Sequence, residues 1–437
     1  MSASANPQAI LQSWGVPELQ ARLKFVLTAL FIYCVGIHIP APGMDPAAVQ
    51  AFFTTGAGSG GLLGFIDIFS GGALSNFSIF ALGVMPYINA SIMMQLLVAV
   101  DGRLKEMQQE GEEGRKRISK VTRYLAIFLA FVQGVGFVGM ITGDMLHVLS
   151  FNGATALFSV VAGTCFLMWL GDEISEKGVG NGLSILITIG ILISVPGMIV
   201  QELQQAALDN ARLGALLLFL LFTVAVITAI VWVQLSVRKV PVQYARRQIG
   251  RRVYGGQNTF LPLKMAQAGV IPLIFAISVL MVPPTVLNMM KNWGSQYEML
   301  AGRYTSFQQG FWGGLLQFVL VFVFTFVYVA VTFNTQDIAD NLKKNNGFIP
   351  GIRPGRPTFE FLDKVLHRVT FFGALYLSII SILPILINGI VSKVTNVQIT
   401  SFYIGGTSLL IVVGVALDTV QQMQAHMVMR HYSGFNK

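Results

Sequence analysis

The amino-acid sequence predicts an all-α polytopic membrane protein with ten transmembrane helices. Three observations predict it. Only 11% of the 437 residues are charged and 54% are hydrophobic, whereas a soluble domain carries about 25% charged residues. Ten stretches at or near the length of a membrane crossing contain no Asp, Glu, Lys or Arg. The charge that remains is one-sided. A soluble chain of this length would need two or three domains, each with a charged surface, so a soluble enzyme and a disordered chain are both excluded.

A helical crossing needs about 20 mostly apolar residues. The charge-free windows run over 25–39, 73–100, 124–141, 150–170, 183–201, 213–237, 265–290, 311–333, 369–392 and 394–417. Pro40 ends the first, and Gly405 and Gly406 interrupt the last. The closeness of the ninth and tenth in sequence suggests a hairpin crossing with a very short outer turn. Residues 1–24 are polar and show no cleavable signal peptide.

Alternate connecting stretches differ sharply in charge. One set holds 25 of the 29 Lys and Arg residues and the other holds 4. Cytoplasmic connections carry the excess of Lys and Arg, so both termini are expected in the cytoplasm. The acidic residues divide 14 inside and 6 outside, which leaves the inner face strongly positive. The net charge of +9 therefore reflects topology. Nucleic acid is not expected as the sole partner, although a ribosome could meet that face.

The spans carry no obvious chemistry. None of the ten windows holds a carboxylate, whereas proton-coupled transporters accept the cost of burying one to build relays. That weakens a small-solute secondary transporter without excluding it, because backbone carbonyls can also bind ions. No GxxxxGK[ST] phosphate loop, HExxH motif or Cys/His metal spacing occurs. No cofactor is expected. Cys34 and Cys165 lie in apolar runs and read as small buried side chains, and His38 reads as a structural or interfacial residue. Gly178, Gly180 and Gly182 in GVGNG read as a turn before the fifth window.

Three further segments stand out. Residues 56–72, GAGSGGLLGFIDIFSGG, contain seven glycines around an apolar centre of eight residues, Leu62–Phe69. That centre is too short to cross a bilayer. It is either a re-entrant, movable element surrounded by protein or water, or a helix lying on the outer surface. Residues 238–264 carry Arg238, Lys239, Arg246, Arg247, Arg251, Arg252 and Lys264, no acidic residue, and interleaved Tyr244 and Tyr254. This is either a solvated loop that sets topology and touches anionic lipid or a docking site for an acidic partner such as ribosomal RNA. Residues 343–357, KKNNGFIPGIRPGRP, set Lys343, Lys344, Arg353 and Arg356 among Pro350, Pro354 and Pro357. Pro and Gly preset turns, so this basic tip has a shape, which favours partner docking.

Five blocks of the sequence resemble the SecY family, the large subunits of bacterial protein-conducting channels. They are FSGGALSNFSIFALGVMPYINASIMMQLL (69–97), FLMWLGDEISEKGVGNGLSILI (166–187), YARRQIGRRVYGGQNTFLPLKMAQAGVIPLIFA (244–276), NLKKNNGFIPGIRPG (341–355) and YIGGTSLLIVV (403–413). The resemblance implies two pseudo-symmetric five-helix halves, at 25–201 and 202–417, between a cytoplasmic N-terminus at 1–24 and a tail at 418–437. The halves would clamp an hourglass pore and open sideways to lipid between segments 2–3 and 7–8. It implies a ring of apolar side chains at the narrowest point, matching Val84, Ile88, Ile187, Ile274 and Ile411, with Val84 where a larger Ile is common. It turns 64–77, around Phe65, Ile66, Ile68 and Phe69, into a plug half-helix beneath the ring.

An apolar ring suits polypeptide cargo. Aliphatic side chains hold no sequence by hydrogen bonds, and they re-form a dewetted constriction after a chain has passed. Flexible Met85, Met93 and Met94 could adapt to varied signal sequences. Asn89, Gln95 and Gln133 could hydrogen-bond across the lateral gate and tune its opening. The resemblance also implies that loops 238–264 and 334–368 bind the ribosome or the motor SecA, through Arg246, Arg247, Arg251, Arg252, Lys343, Lys344, Arg353 and Arg356. It implies partner subunits SecE and SecG, nascent polypeptides as cargo, and residence in the bacterial cytoplasmic membrane. The channel would be passive, with energy supplied by its partners.

Overall fold

The computed structural model describes residues 17–44, 49, 67–142, 150–206, 210–244, 247–249, 252–254, 258–289, 295–395 and 407–433. Helix α1 spans Pro17–Ile37, followed by α2 (Met85–Val100), α3 (Gly102–Gln109), α4 (Glu112–Thr142), α5 (Phe151–Lys177), α6 (Gly182–Ala206) and α7 (Asn210–Leu235). Strands β1 (Val237–Tyr244), β2 (Arg247–Ile249), β3 (Arg252–Tyr254) and β4 (Asn258–Lys264) come next. The chain continues with α8 (Ile271–Met289), α9 (Ser295–Gln309), α10 (Phe311–Thr332), α11 (Thr335–Lys344), β5 (Gly347–Phe348), α12 (Arg356–Thr395) and α13 (Thr407–Ser433).

The protein is an all-α polytopic membrane protein in its body. Among the described residues, six helices are long and apolar enough to cross a membrane, and four shorter apolar helices accompany them. Each overlaps one of the ten charge-free windows. Helix length follows side-chain polarity. α4 has 31 residues, about 46 Å at 1.5 Å per residue, against about 30 Å of hydrocarbon. Its polar first third, EEGRKRISKVTR, overhangs the apolar remainder. α12, at 40 residues, overhangs in the same way.

The second window is corrected. It is helical only from Met85, where Pro86 sits in the first turn and lacks an N–H that would need a partner. Residues 71–84 are a chain of turns. Gly71, Gly72 and Gly83 have φ of 74°, 83° and 55°, and Phe77 joins them at 41°, a region L-residues rarely adopt. Non-helical backbone at membrane depth must be paired by protein. Here Ala41 N–H donates to Phe77 O (2.9 Å) and Ile79 N–H to Ile39 O (3.0 Å).

The basic stretch 238–264 is not simply a loop. β1 and β4 form an antiparallel hairpin through seven residue pairs, from Val237 with Lys264 to Gln243 with Asn258. β5 adds to the other edge of β1, with Gln243 opposite Phe348 and Tyr244 opposite Gly347. The sheet order is therefore β4-β1-β5. Alternate residues Val240, Val242 and Leu263 turn to one face and pack on Leu342, Ile349 and Leu362, all buried. The two basic segments, separate in sequence, are one structured platform.

Candidate functional site

One apolar cluster gathers residues from both halves of the sequence. It unites buried Val84, Ile187 and Ile411, which are 3%, 6% and 1% exposed, with half-buried Ile88 and Ile274. All five residues expected in the ring thus meet. Each lies at the start of its helix. Val84 is the N-cap of α2, and Ile88 follows one turn later on the same face. Ile187, Ile274 and Ile411 lie within the first two turns of α6, α8 and α13. Four helices therefore present one apolar level. Every residue of the cluster is hydrophobic, and Tyr33 is the one that carries a polar group.

Phe69 belongs to the same cluster and is 7% exposed, and Ile68 is 6% exposed. Of the expected plug half-helix, residues 67–70 are helical and 71–77 are turns. Residues 64–66, including Phe65 and Ile66, lie outside the described residues. Asp67 closes the helical turn onto the following chain. Its Oδ1 accepts from Leu74 N–H (3.1 Å) and Ser75 N–H (2.8 Å), and its carbonyl accepts from Gly72 N–H (2.9 Å).

The seam where the resemblance implies lateral opening is closed in this structure. α8 packs against α2 and α4, and α10 packs against α2. Asn89 Oδ1 and Gln95 Oε1 are buried without a partner among the described residues. Gln95 Nε2 donates to Ser91 Oγ (3.3 Å), a bond within α2 and not across the seam. Gln133 is half-buried on α4.

The basic residues divide by placement. Arg353 is exposed on a tip flanked by Gly351 and Gly355, with φ of 81° and 103°. Its carbonyl accepts from Thr358 Oγ1 (2.8 Å), which fixes the tip to the first turn of α12. Arg356 is exposed and faces Glu360 Oε1 at 3.5 Å. Lys343 and Lys344 occupy the last turn of α11, where cations complement the helix dipole. Arg247 and Arg252 lie on the β2–β3 hairpin, opposite Tyr254 and Ile249. Arg246 and Arg251 lie outside the described residues. Lys264, at the base of β4, donates to Gln421 Oε1 (2.8 Å) and lies 3.8 Å from Asp418 of α13. Sequence reasoning missed this link, and also Tyr33, Gly190 and Ser194 around the Ile68–Ser70 backbone. The signal for Tyr33 was a phenol inside an apolar span, which must find a partner when buried.

This many-helix membrane bundle, with its apolar cluster and its basic β-sheet, has the fold of solved protein-conducting channels. It superposes on "The structure of a protein conducting channel" with a TM-score of 0.65 and 16% identity, covering 94% of this chain and 93% of that one. Sec61 in the canine ribosome–channel complex gives a TM-score of 0.62 at 15% identity, with coverage of 94% and 93%. The family model described as SecY matches residues 78–420. The protein translocase subunit SecY of Thermotoga maritima is 43% identical, covering 98% of this chain and 98% of its own. That of Pseudomonas aeruginosa is 42% identical, with coverage of 100% and 97%. The chain belongs to the SecY family.

Proposed function

We propose that this protein is the channel-forming subunit of a bacterial Sec translocon, passing unfolded secretory polypeptides across the membrane and releasing transmembrane segments sideways into lipid. The observation that carries this reading is the apolar cluster. Val84, Ile88, Ile187, Ile274 and Ile411 converge on it from four helices, with Phe69 against them and no ionisable carboxylate, Lys, Arg or His among its members. Such a ring is the constriction, and the segment around Ile68 and Phe69 is the plug that fills it. The windows at 25–201 and 202–417 form the two halves, and the α2–α4 and α8–α10 seam is the lateral gate. The alternative of a small-solute carrier finds no support in the fold or in the relatives.

The Lys and Arg bias supports cytoplasmic termini and a platform that faces the cytoplasm. There the exposed Arg353 tip and the hairpin would dock the ribosome or the SecA motor, with SecE and SecG as subunits beside the channel. The protein is no enzyme, and its partners supply the driving energy. Site-specific crosslinking tests the reading. A secretory chain stalled in transit should react with a photoprobe at Ile88 or Ile274. Absence of any adduct at both positions, in a preparation that still transports, overturns it.

A further inference from the structure

The backbone of residues 68–70 is held from one side by three residues of α1 and α6 that carry no assigned role. Tyr33 of α1 is 1% exposed. Its hydroxyl donates to Ser70 O at 3.4 Å, its one hydrogen bond among the described residues. Its ring stacks on Phe80, centroids 5.9 Å apart, which aims the hydroxyl. Ser194 of α6 has its Oγ 3.2 Å from Ile68 O and 3.2 Å from Gly190 O of its own helix. Gly190 lies between them. A Cβ there would stand 2.6 Å from Phe69 O and 3.0 Å from the Tyr33 hydroxyl. The missing side chain lets the carbonyl of Phe69 rest directly against α6.

We propose that Tyr33, Gly190 and Ser194 form a backbone latch that holds the plug closed. The inference rests on the plug reading above. The latch grips carbonyls rather than side chains, so it fixes the position of Phe69 in the apolar cluster independently of plug sequence. Its strength suits a door. A buried phenol needs a partner, so Tyr33 loses one when the segment leaves. Ser194 does not. Its single proton can pass from Ile68 O to Gly190 O, which stays in place. Releasing Ser194 therefore costs little, and releasing Tyr33 costs more. Closing is favoured without being locked, because a neutral hydrogen bond contributes only a modest net amount.

The test uses the full-length chain in lipid nanodiscs, with Cys34→Ala and Cys165→Ala as background and Ile68→Cys as reporter. The rate of maleimide labelling reads how often the segment leaves its seat. Tyr33→Phe, which keeps the stacked ring, should speed labelling about fivefold. Ser194→Ala should speed it less than Tyr33→Phe, and Gly190→Ala more than either. A control cysteine at Leu167, fully buried in the same cluster, should stay slow in every variant. Labelling of Tyr33→Phe within twofold of the parent overturns the latch, as does equal acceleration at Leu167→Cys, which would mean general loosening. An arrested secretory chain in the otherwise unmutated channel separates the two readings. If it fails to speed labelling at Ile68→Cys, the plug reading itself fails. If it succeeds while Tyr33→Phe changes nothing, only the latch fails.

Discussion

Truncating Ile411 should make the resting channel leak, and the size of the leak can be worked from its burial. Ile411 is 1% exposed and packs in the apolar cluster with Val84, Ile187 and Phe69. On the proposed function a passing chain parts that cluster, so the side chain contributes to closure what it loses on separation. Ile411→Ala removes three carbons, about 2.4 kcal/mol at about 0.8 kcal/mol each. With a factor of ten for each 1.4 kcal/mol, the open population should rise about 50-fold. Ile411→Val removes one carbon and should raise it about fourfold. The assay is the rate of halide entry into sealed proteoliposomes loaded with a quenchable dye, at matched protein density. Phe128→Ala, on the exposed face of α4 where Phe128 is 62% exposed, is the control and should leave the rate at baseline. A leak that fails to grade from Ile to Val to Ala, or one matched by Phe128→Ala, refutes the assignment of Ile411 to the seal.

Other substitutions probe the platform and the packing. Arg353→Glu should leave the protein inserted and folded but abolish motor-driven transport of a secretory precursor into vesicles, and unchanged transport would remove Arg353 from the docking surface. Leu263→Ala, at a side chain 1% exposed beneath the hairpin, should cost about 2–5 kcal/mol. That cost should appear as faster hydrogen exchange in β1 and β4 with the membrane helices unaffected; exchange that rises evenly everywhere would show the platform is not a separate packing unit. Gly163→Ala should lower the melting temperature steeply, since a Cβ there would overlap the carbonyl of Ile79. A melt equal to the parent would mean that α5 does not need that close approach.

The sequence by itself determined the parts of this protein that depend on solvent preference. Lipid selects long charge-free runs, so ten windows could be read off residue types alone; among the described residues six overlap helices long enough to cross and four overlap shorter apolar helices. The bias of Lys and Arg supports the proposed side for each connection through a separate rule, the excess of positive residues in cytoplasmic loops. The members of the proposed ring were legible only through the resemblance, because an Ile facing the cluster and an Ile on an exposed helix face look alike in a chain. Ile411 at 1% exposure and Leu386 at 45% carry no distinguishing local pattern.

Tertiary structure decided what depends on long-range backbone pairing. The turns at 71–84 lie inside an apolar run that reads as helix. They exist because glycines there adopt positive φ and because α1 and its following residues supply partners such as Ile39 O. The union of the two basic segments was equally hidden. Val240 and Val242 alternate over too few positions to signal a strand among so many Lys and Arg residues. Only the pairing of Gln243 and Tyr244 with Phe348 and Gly347 joins them. The hold of Tyr33 and Ser194 on the carbonyls of Ser70 and Ile68 is a contact between atoms every residue possesses, and only the folded chain could decide which ones meet.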